Sequence, residues 1–269
     1  MKKLATALVS AAAIMTMSTT AFAAENPAEV FDRVMEKNNT IQSAEIQSGV
    51  HSVILAKDVI PDGQMKVDMA MHAEMDMQDT TDLKYLAQVA SSILGQDSYS
   101  QVFYTDGYYY VDANGVKLKY PMPLEQIISS VQTGVNTSNT ESSYMKGISL
   151  NEVNGKRVLA YEANPKKLNK NVKEALGTVM NTLGTDINLD MNIQEMKGAY
   201  VLDDNDYIIY MTNYIVYNME VLDQPMTCIT LMETEVQNPG EPVVVTLPST
   251  DGYEDLIGLY DGVIESEVE

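Results

Sequence analysis

The stretch that decides the fold is residues 65–77, MKVDMAMHAEMDM, in which apolar side chains, five of them methionine, occupy every second position. Polar or small residues take the positions between them, from Lys66 to Asp76. In a β-strand successive side chains point to opposite faces, whereas a helix would scatter both sets around its axis. The stretch therefore predicts one long strand with a methionine face and a polar face.

Similar alternation surrounds this strand. Residues 44–57 alternate too, and the turn-forming Pro61, Asp62 and Gly63 follow, so the two stretches predict a long hairpin. Asp106-Gly107 and Asn114-Gly115 separate three short strands, and Asn154-Gly155 joins two more, because these dipeptides are typical of two-residue turns. Further strands are predicted at residues 187–202, with a bulge near Gln194, at 207–221, at 226–236 and in VVVTLP at 243–248.

Helical spacing recurs at four places. Asn26, Pro27 and Glu29 provide a cap, a first-turn proline and a capping-box carboxylate, and they predict a helix from Pro27 to Asn38. Apolar residues at i, i+3 and i+4 predict further helices from Thr81 to Leu94, from Pro123 towards Gly134, and from Asn164 towards Gly184.

These elements predict an α+β fold with about eleven strands. Strands as long as those at 44–57 and 207–221 are expected to twist and curl. We therefore expect a single strongly curved antiparallel sheet, an incomplete barrel, with the helices packed on its concave face.

The chain ends define the expected domains and location. Residues 1–24 have a basic start, an apolar run too short to span a membrane, and the small residues AFAA, which together indicate a secretory signal peptide cleaved near Ala23 or Ala24. We expect one domain over residues 25–248 and an acidic tail over 249–269. The mature protein is predicted to be secreted or extracytoplasmic, without a transmembrane segment.

The charge balance limits the partners. The chain has 17 basic and 38 acidic residues, a net charge of −21, which disfavours phosphate backbones and anionic membrane surfaces. We therefore expect no nucleic-acid partner. Cys228 is the only cysteine, so no intramolecular disulfide can form, and its alternation with Met226, Thr230 and Met232 predicts a buried, small apolar residue.

The order of elements resembles the lipoprotein-carrier superfamily of the LolA, LolB and LppX type. An exported chain opens with the helix Pro27–Asn38, continues with a long hairpin and the meander YYYVDANGVKLKY at residues 108–120, and ends in VVVTLP. The resemblance covers nearly the whole mature chain, which is similar to uncharacterised secreted members from Gram-positive bacteria. It implies hydrophobic-ligand binding without catalysis, in a cavity between sheet and helices.

The methionine face is the main candidate site. Methionine is unbranched and polarisable, so a wall rich in it can adapt to acyl chains of different lengths. The same residues could instead be ordinary core, or thioether ligands of Cu(I) through Met69, Met71, Met75 and Met77. The predicted cavity lining comprises Met65, Val67, Met69, Met71, Met75, Met77, Met191, Met211 and Met219.

Other chemistry has little support in the sequence. His51 and His72 fall on polar strand positions, no GxSxG motif occurs, and residues 203–206, DDND, predict a plain turn because they lack the EF-hand spacing. We expect no catalytic residues, metal site or cofactor. The sequence thus predicts an exported binding protein for a lipid or other hydrophobic ligand. The alternative is an envelope sensor or interaction module whose cavity is filled by its own helices and which contacts a protein partner.

Overall fold

A computed structural model describes residues 25–56, 60, 62–79, 83–124, 126–127, 141–170, 191–221 and 224–256. The predicted signal peptide and residues 257–269 of the predicted tail lie outside these ranges. In chain order the elements are α1 (Pro27–Asn38), β1 (Ser43–Leu55), β2 (Gln64–Asp76), β3 (Lys84–Ile93), β4 (Gln96–Thr105), β5 (Tyr108–Ala113), β6 (Val116–Pro121), a 3₁₀ turn (Ser142–Tyr144), β7 (Met145–Val153), β8 (Lys156–Ala163), β9 (Met191–Leu202), β10 (Ile208–Val221), β11 (Gln224–Gln237) and β12 (Glu254–Asp255).

The described strands form one twelve-stranded sheet in the order β12-β6-β5-β4-β3-β2-β1-β11-β10-β9-β8-β7. The pairs β3–β4, β4–β5, β5–β6, β7–β8, β8–β9, β9–β10 and β10–β11 are antiparallel, whereas the short β12 pairs in parallel with β6. The predicted fold class, α+β with a single open antiparallel sheet, is confirmed. The two strands predicted as a hairpin at residues 44–57 and 65–78 are confirmed as the neighbouring strands β1 and β2, whereas Lys57 and the turn residue Pro61 lie outside the described ranges.

Local turn chemistry explains several of the connections. Asp106-Gly107, Asn114-Gly115 and Asn154-Gly155 all have positive φ at both residues, as the two-residue hairpin turns that match strand twist require. The predicted bulge is also confirmed, because Val216 pairs with Glu195 and Tyr217 with Ile193, which leaves Gln194 as an extra residue.

The chain divides into two compact units. Unit 1 contains the described residues of Met1–Asn38, Gly49–Asp68 and Ser138–Glu235, and unit 2 those of Asn39–Ser48, Met69–Thr137 and Val236–Glu269. In unit 1 the apolar stripe of α1 packs on β7 to β10 and forms a core cluster of Val30, Phe31, Val34, Met35, Leu150, Leu159, Tyr161, Tyr200, Leu202 and Ile208. The predicted helix start is confirmed, since Asn26 Oδ1 accepts a hydrogen bond from the Ala28 amide at 3.1 Å.

Unit 2 buries side chains on both faces of its strands. On β5, Tyr110 stacks on Phe103 with ring centroids 4.6 Å apart, and it also contacts Tyr253. The adjacent Tyr109 points to the other face and lies 5.5 Å from Tyr120. Each face therefore has its own aromatic packing.

The helix predicted from Thr81 to Leu94 is wrong. Lys84–Ile93 is a strand, β3, that forms a hairpin with β4 through Leu94-Gly95. Leu86 packs in one cluster and Leu83 in another, so apolar residues are needed on both faces. A strand that is buried on both faces lacks the alternation of apolar and polar residues that marks a half-exposed strand. The spacing of its apolar residues can then resemble that of an amphipathic helix.

The strand predicted in VVVTLP is also wrong. Residues 242–250 are neither helix nor strand, and the only described strand after β11 is Glu254–Asp255. Alternate side chains of the segment, Val243, Val245 and Leu247, pack against the cluster of Phe103 and Tyr110. An extended segment can thus pack every second side chain into a core without forming the ladder of backbone hydrogen bonds that defines a strand.

The remaining predicted helices are described only at their starts. Residues 126–127 and 165–170 are helical, and Asn164 Oδ1 accepts a hydrogen bond from the Lys166 amide at 3.2 Å, which confirms the predicted start. Residues 128–140 and 171–190, over which the sequence predicts the rest of both helices and the start of the strand at 187–202, lie outside the described ranges.

A charge cluster fixes α1 to the turn between β9 and β10. Asp206 accepts hydrogen bonds from Arg33 Nε, at 2.9 Å, and from Arg157 Nη1, and Arg33 also pairs with Glu25. Burial acts to raise the pKa of Asp206, but the hydrogen bond from Arg33 and the charge of Arg157 outweigh it, so the pKa lies below its ordinary value. The predicted turn at residues 203–206 is confirmed, with Asp203 Oδ1 accepting from the amides of Asn205 and Tyr207.

We expect Leu94→Asn to stabilise the protein. Leu94 has φ 53°, a left-handed backbone conformation that is unfavourable for leucine. Its side chain is 70% exposed, so the burial of apolar surface offsets little of this unfavourable energy. Asparagine tolerates this conformation, and the free energy of unfolding in urea should rise by about 1 kcal/mol. The reciprocal control is Asn154→Leu, at φ 53°, which should lower it. A neutral or destabilising Leu94→Asn would contradict this turn geometry.

We expect Asp206→Asn to remove part of the acid sensitivity of folding. Because its folded pKa is lowered, ionised Asp206 contributes stability above its ordinary pKa, and this contribution is lost as the pH falls through the lowered value. The variant should be less stable by about 1 kcal/mol at neutral pH, and the difference should shrink towards about pH 2. Urea denaturation at both pH values measures this. The control is Asp204→Asn, at an exposed residue. A difference in the free energy of unfolding that does not change with pH would contradict a stabilising role for the charge of Asp206.

Candidate functional site

The β10 strand separates two faces of unit 1. Met211 packs against the cluster formed by α1, whereas Tyr214, of the opposite parity, lines a cavity on the other side of the strand. Tyr214 pairs with Leu231 of β11, and Val216 pairs with Ile229, so both aliphatic residues share the cavity side. Unit 1 therefore has a helix face and a cavity face.

The cavity has a volume of about 280 Å³ and lies across β1, β2, β10 and β11. Its apolar lining comes from Val53, Ile229 and Leu231 together with the ring of Tyr214. Its polar lining comes from His51, Ser52, Lys66 and Asp68. This combination suits a molecule with an apolar body and a polar end.

Two of the polar residues form a pair across the β1–β2 hairpin. His51 Nδ1 donates a hydrogen bond to Asp68 Oδ1 at 2.7 Å, and both side chains are about half exposed. Lys66 lies two residues before Asp68 and therefore on the same face of β2. The hydrogen-bond donors of His51 and Lys66 and the carboxylate of Asp68 therefore lie beside the aliphatic lining of the cavity.

A buried polar pair follows on the same face. Thr212 and Glu233 are opposite each other in the register, two residues from Tyr214 and Leu231, and Glu233 is only 3% exposed. Tyr210 OH donates to Glu233 Oε1 at 2.6 Å. Within the described part of the chain, Glu233 Oε2 and Thr212 Oγ1 have no hydrogen-bond partner. Two buried oxygen atoms that can still accept a hydrogen bond therefore lie next to the residues that line the cavity.

The predicted methionines of unit 1 lie on the helix face. The register places Met219 opposite Met191, and both have the parity of Met211 on β10. On β2, Met65 and Val67 alternate with Lys66, which lines the cavity, so they point to the opposite face. All five side chains are half-buried.

The predicted methionines of unit 2 differ in burial. Met75 is 2% and Met77 3% exposed, Met71 is half-buried, and Met69 is 40% exposed. Met75 and Met77 belong to a core cluster with Ala44, Leu83, Tyr104, Met122, Ile127 and Val236. The structure thus brings Met75 and Met77 together in one cluster and puts Met211 against another. That the whole predicted set lines a ligand stays a prediction.

Sequence reasoning missed the cavity lining. The interpretation followed the alternation of Met226, Cys228, Thr230 and Met232 on β11 and gave no role to the apolar residues between them. Ile229 and Leu231 fill those positions, and apolar residues of both parities indicate a strand with packing or binding surface on both faces. That signal could have pointed to the second face, and to His51 beside it.

Cys228 and His72, which the sequence analysis also considered, are explained by their local packing and contacts. Cys228 is 1% exposed, which confirms its predicted burial, and burial raises the pKa of its thiol. His72 contacts Glu74 through Nε2, at 3.2 Å, and lies 3.9 Å from Glu45 through Nδ1. In the described ranges, no group of three or more His, Cys, Asp or Glu side chains is arranged to hold a metal ion.

The comparisons with known proteins identify a family. The chain belongs to a family of unknown function, DUF6612, whose model matches residues 26–248. A search of curated protein sequences gives no significant match. Among the described residues, no helix combines the length and the apolar character needed to cross a membrane.

Solved structures give distant likenesses. LprF from Mycobacterium bovis is 12% identical with a TM-score of 0.37, over 83% of this chain and 97% of that one. The Mycobacterium tuberculosis lipoprotein LppX is 9% identical with a TM-score of 0.34, over 82% and 100% of the two chains. A β-barrel-like protein of the DUF1849 domain from Brucella abortus is 11% identical with a TM-score of 0.25, over 74% and 100%. Because these TM-scores are low, the case for a ligand site depends on the residues of this chain.

We expect the buried and exposed methionines of β2 to differ sharply on truncation. Met75→Ala should lower the free energy of unfolding by about 2 to 5 kcal/mol, because it leaves a cavity in the unit 2 cluster. Met69→Ala should change it by no more than about 0.5 kcal/mol, because Met69 is 40% exposed and does not belong to that cluster. Urea denaturation of both variants measures the difference. Equal effects would contradict the burial described for this strand.

Proposed function

We propose that this DUF6612 protein binds a small hydrophobic molecule in the cavity of unit 1. The apolar body of the ligand contacts Val53, Ile229 and Leu231, and its polar end faces His51, Lys66 and Asp68. The observation that carries the proposal is the cavity itself, in which aliphatic side chains and an aromatic ring stand beside a cation and a carboxylate. The extracytoplasmic location and the absence of catalysis predicted from the sequence belong to the same proposal.

The size of the cavity limits the ligand. At about 280 Å³ it is near the lower end of small-molecule pockets, which span roughly 300–1,000 Å³. It therefore suits one short acyl segment or a ring system rather than a complete multi-chain lipid. Burial of about eight methylenes contributes ~6 kcal/mol, against which the loss of ligand freedom must be set. Because ~6 kcal/mol alone corresponds to a Kd of roughly 40 μM and the loss of ligand freedom weakens binding further, we expect affinity in the high-micromolar to millimolar range.

The polar lining sets the orientation of the ligand. Lys66 attracts an anionic or hydrogen-bond-accepting end, and Asp68, held by His51, accepts a donor. The aliphatic residues of β11 line the same cavity away from these charges. An amphipathic molecule therefore binds with its chain on β11 and its head group on β2.

The methionine face offers a second location for the same activity. Met65, Val67, Met69, Met71, Met75, Met77, Met191, Met211 and Met219 remain the residues that the sequence proposes as the wall of a lipid site. Half-buried thioethers at Met65, Met191 and Met219 support this location. The lipoprotein-carrier resemblance, its Gram-positive branch and the alternative of a sensor that contacts an envelope protein also remain proposals.

Filling the cavity tests the proposal. Dodecanoate and dodecylamine are the probes, and their binding to the full chain is measured by calorimetry, with circular dichroism as the check on folding. Val53→Phe should reduce the volume and weaken binding at least about tenfold, and Leu231→Gln should do the same by making the lining polar. The matched control is Val244→Phe, at a residue that is 89% exposed, which should leave binding unchanged.

The outcomes separate the alternatives. Loss of binding in Val53→Phe and Leu231→Gln, with Val244→Phe unaffected, supports the cavity. Full binding in both cavity variants, with loss on replacement of Met65 and Met219 by glutamine, moves the site to the methionine face and overturns the cavity assignment. Absence of binding by any probe favours the sensor module.

A further inference from the structure

A row of sulfur atoms crosses three strands on the helix face of unit 1. Met219 of β10 is directly opposite Met226 of β11 and, on its other side, directly opposite Met191 of β9. Directly opposite residues of antiparallel strands project from the same face with their Cβ atoms about 5 Å apart. Three thioethers therefore lie side by side.

A thiol completes the row. Cys228 lies two residues after Met226 on β11, on the same face, and its Sγ donates to Met219 Sδ at 3.6 Å. Cys228 is 1% exposed, whereas the three methionines are half-buried. The thiol is thus the buried member of the cluster, and the thioethers are its partly exposed members.

The sulfur–sulfur separation matches what a shared metal ion requires. Two sulfur ligands that each lie about 2.3 Å from one ion at a tetrahedral angle are separated by ~3.8 Å. The distance between Cys228 and Met219 is within a few tenths of an ångström of that value. Met191 and Met226 flank Met219 in the register, and their flexible, unbranched side chains are the nearest further thioethers on this face along the two neighbouring strands.

The chemistry of the donors selects the ion. Thiolate and thioether are soft ligands that favour Cu(I) over hard cations such as Mg²⁺ and Ca²⁺. Ordinary packing would need only apolar volume at these positions, which leucine also supplies. The net charge of −21 raises the local concentration of cations around the chain.

We propose that Met191, Met219, Met226 and Cys228 form a binding site for one soft monovalent cation of the Cu(I) type. On binding, the S–H bond of Cys228 breaks, a sulfur–metal bond forms and the proton passes to solvent, without change in the oxidation state of the metal. The site is independent of the hydrophobic-ligand cavity, which lies on the other face. It also differs from the copper hypothesis for Met69, Met71, Met75 and Met77, because it joins a thiol to thioethers from three strands.

Competition for Cu(I) tests the site. The full chain is titrated without oxygen, with ascorbate present, against a chromophoric bathocuproine chelator of Cu(I), and Ag(I) binding is counted by native mass spectrometry. We expect one ion per chain. Cys228→Ser should weaken Cu(I) binding at least about a hundredfold and Met219→Leu at least about tenfold. Met191→Leu combined with Met226→Leu should also weaken it.

Matched controls distinguish this site from other sulfur atoms. Replacement of Met69, Met71, Met75 and Met77 by leucine should leave the affinity unchanged, and leucine retains the apolar volume that folding needs. Circular dichroism of every variant confirms that the fold is intact. No competition with the chelator, or unchanged affinity in Met219→Leu and in the Met191→Leu, Met226→Leu variant, would overturn the proposal, the latter because the thiol would then bind alone. Dodecanoate binding in the cavity, tested with Val53→Phe and Leu231→Gln, involves none of these sulfur atoms and succeeds or fails separately.

Discussion

The antiparallel register of β10 with its two neighbours is the constraint on which both sites depend. Because strand side chains alternate, a single register decides that Tyr214 meets Leu231 on one face while Met219 meets Met226 on the other. A shift by one residue would exchange the two sets. The packing of α1 opposes such a shift, since its core cluster requires Tyr200 and Ile208 on the helix face. Burial of the helix stripe therefore also fixes the chemistry of the opposite face.

The two faces of unit 1 are suited to different ligands for a simple physical reason. Branched aliphatic side chains such as Val53 and Ile229 are stiff, and they maintain a cavity of defined volume. Methionine side chains are flexible and carry a polarisable atom, so a row of them can converge on an ion or repack around an apolar group. The amino-acid types on each face, rather than the sheet itself, determine which molecules it can bind.

Much of the fold could be predicted from the sequence, and the exceptions have clear causes. Strict alternation identified β2, the turn dipeptides identified the hairpins, and a change of phase located the bulge at Gln194. Alternation failed where burial is two-sided, as in β3, and where an extended segment packs without a ladder, as at Val245. Both failures concern long-range contacts, which local periodicity does not encode.

The candidate sites were harder to predict. The methionine face was visible because one residue type recurs along β2, but the approach of Cys228 to Met219 depends on the pairing of β10 with β11. The cavity depends on two pairs of strands, β1–β2 and β10–β11, that are distant from each other in sequence. The most direct test of the two-face account is methyl NMR of the full chain labelled at Val, Leu, Ile and Met. The account predicts that dodecanoate shifts the methyl signals of Val53, Ile229 and Leu231, and that Ag(I) shifts those of Met191, Met219 and Met226. A response of both sets to either probe, or the reverse assignment, would contradict it.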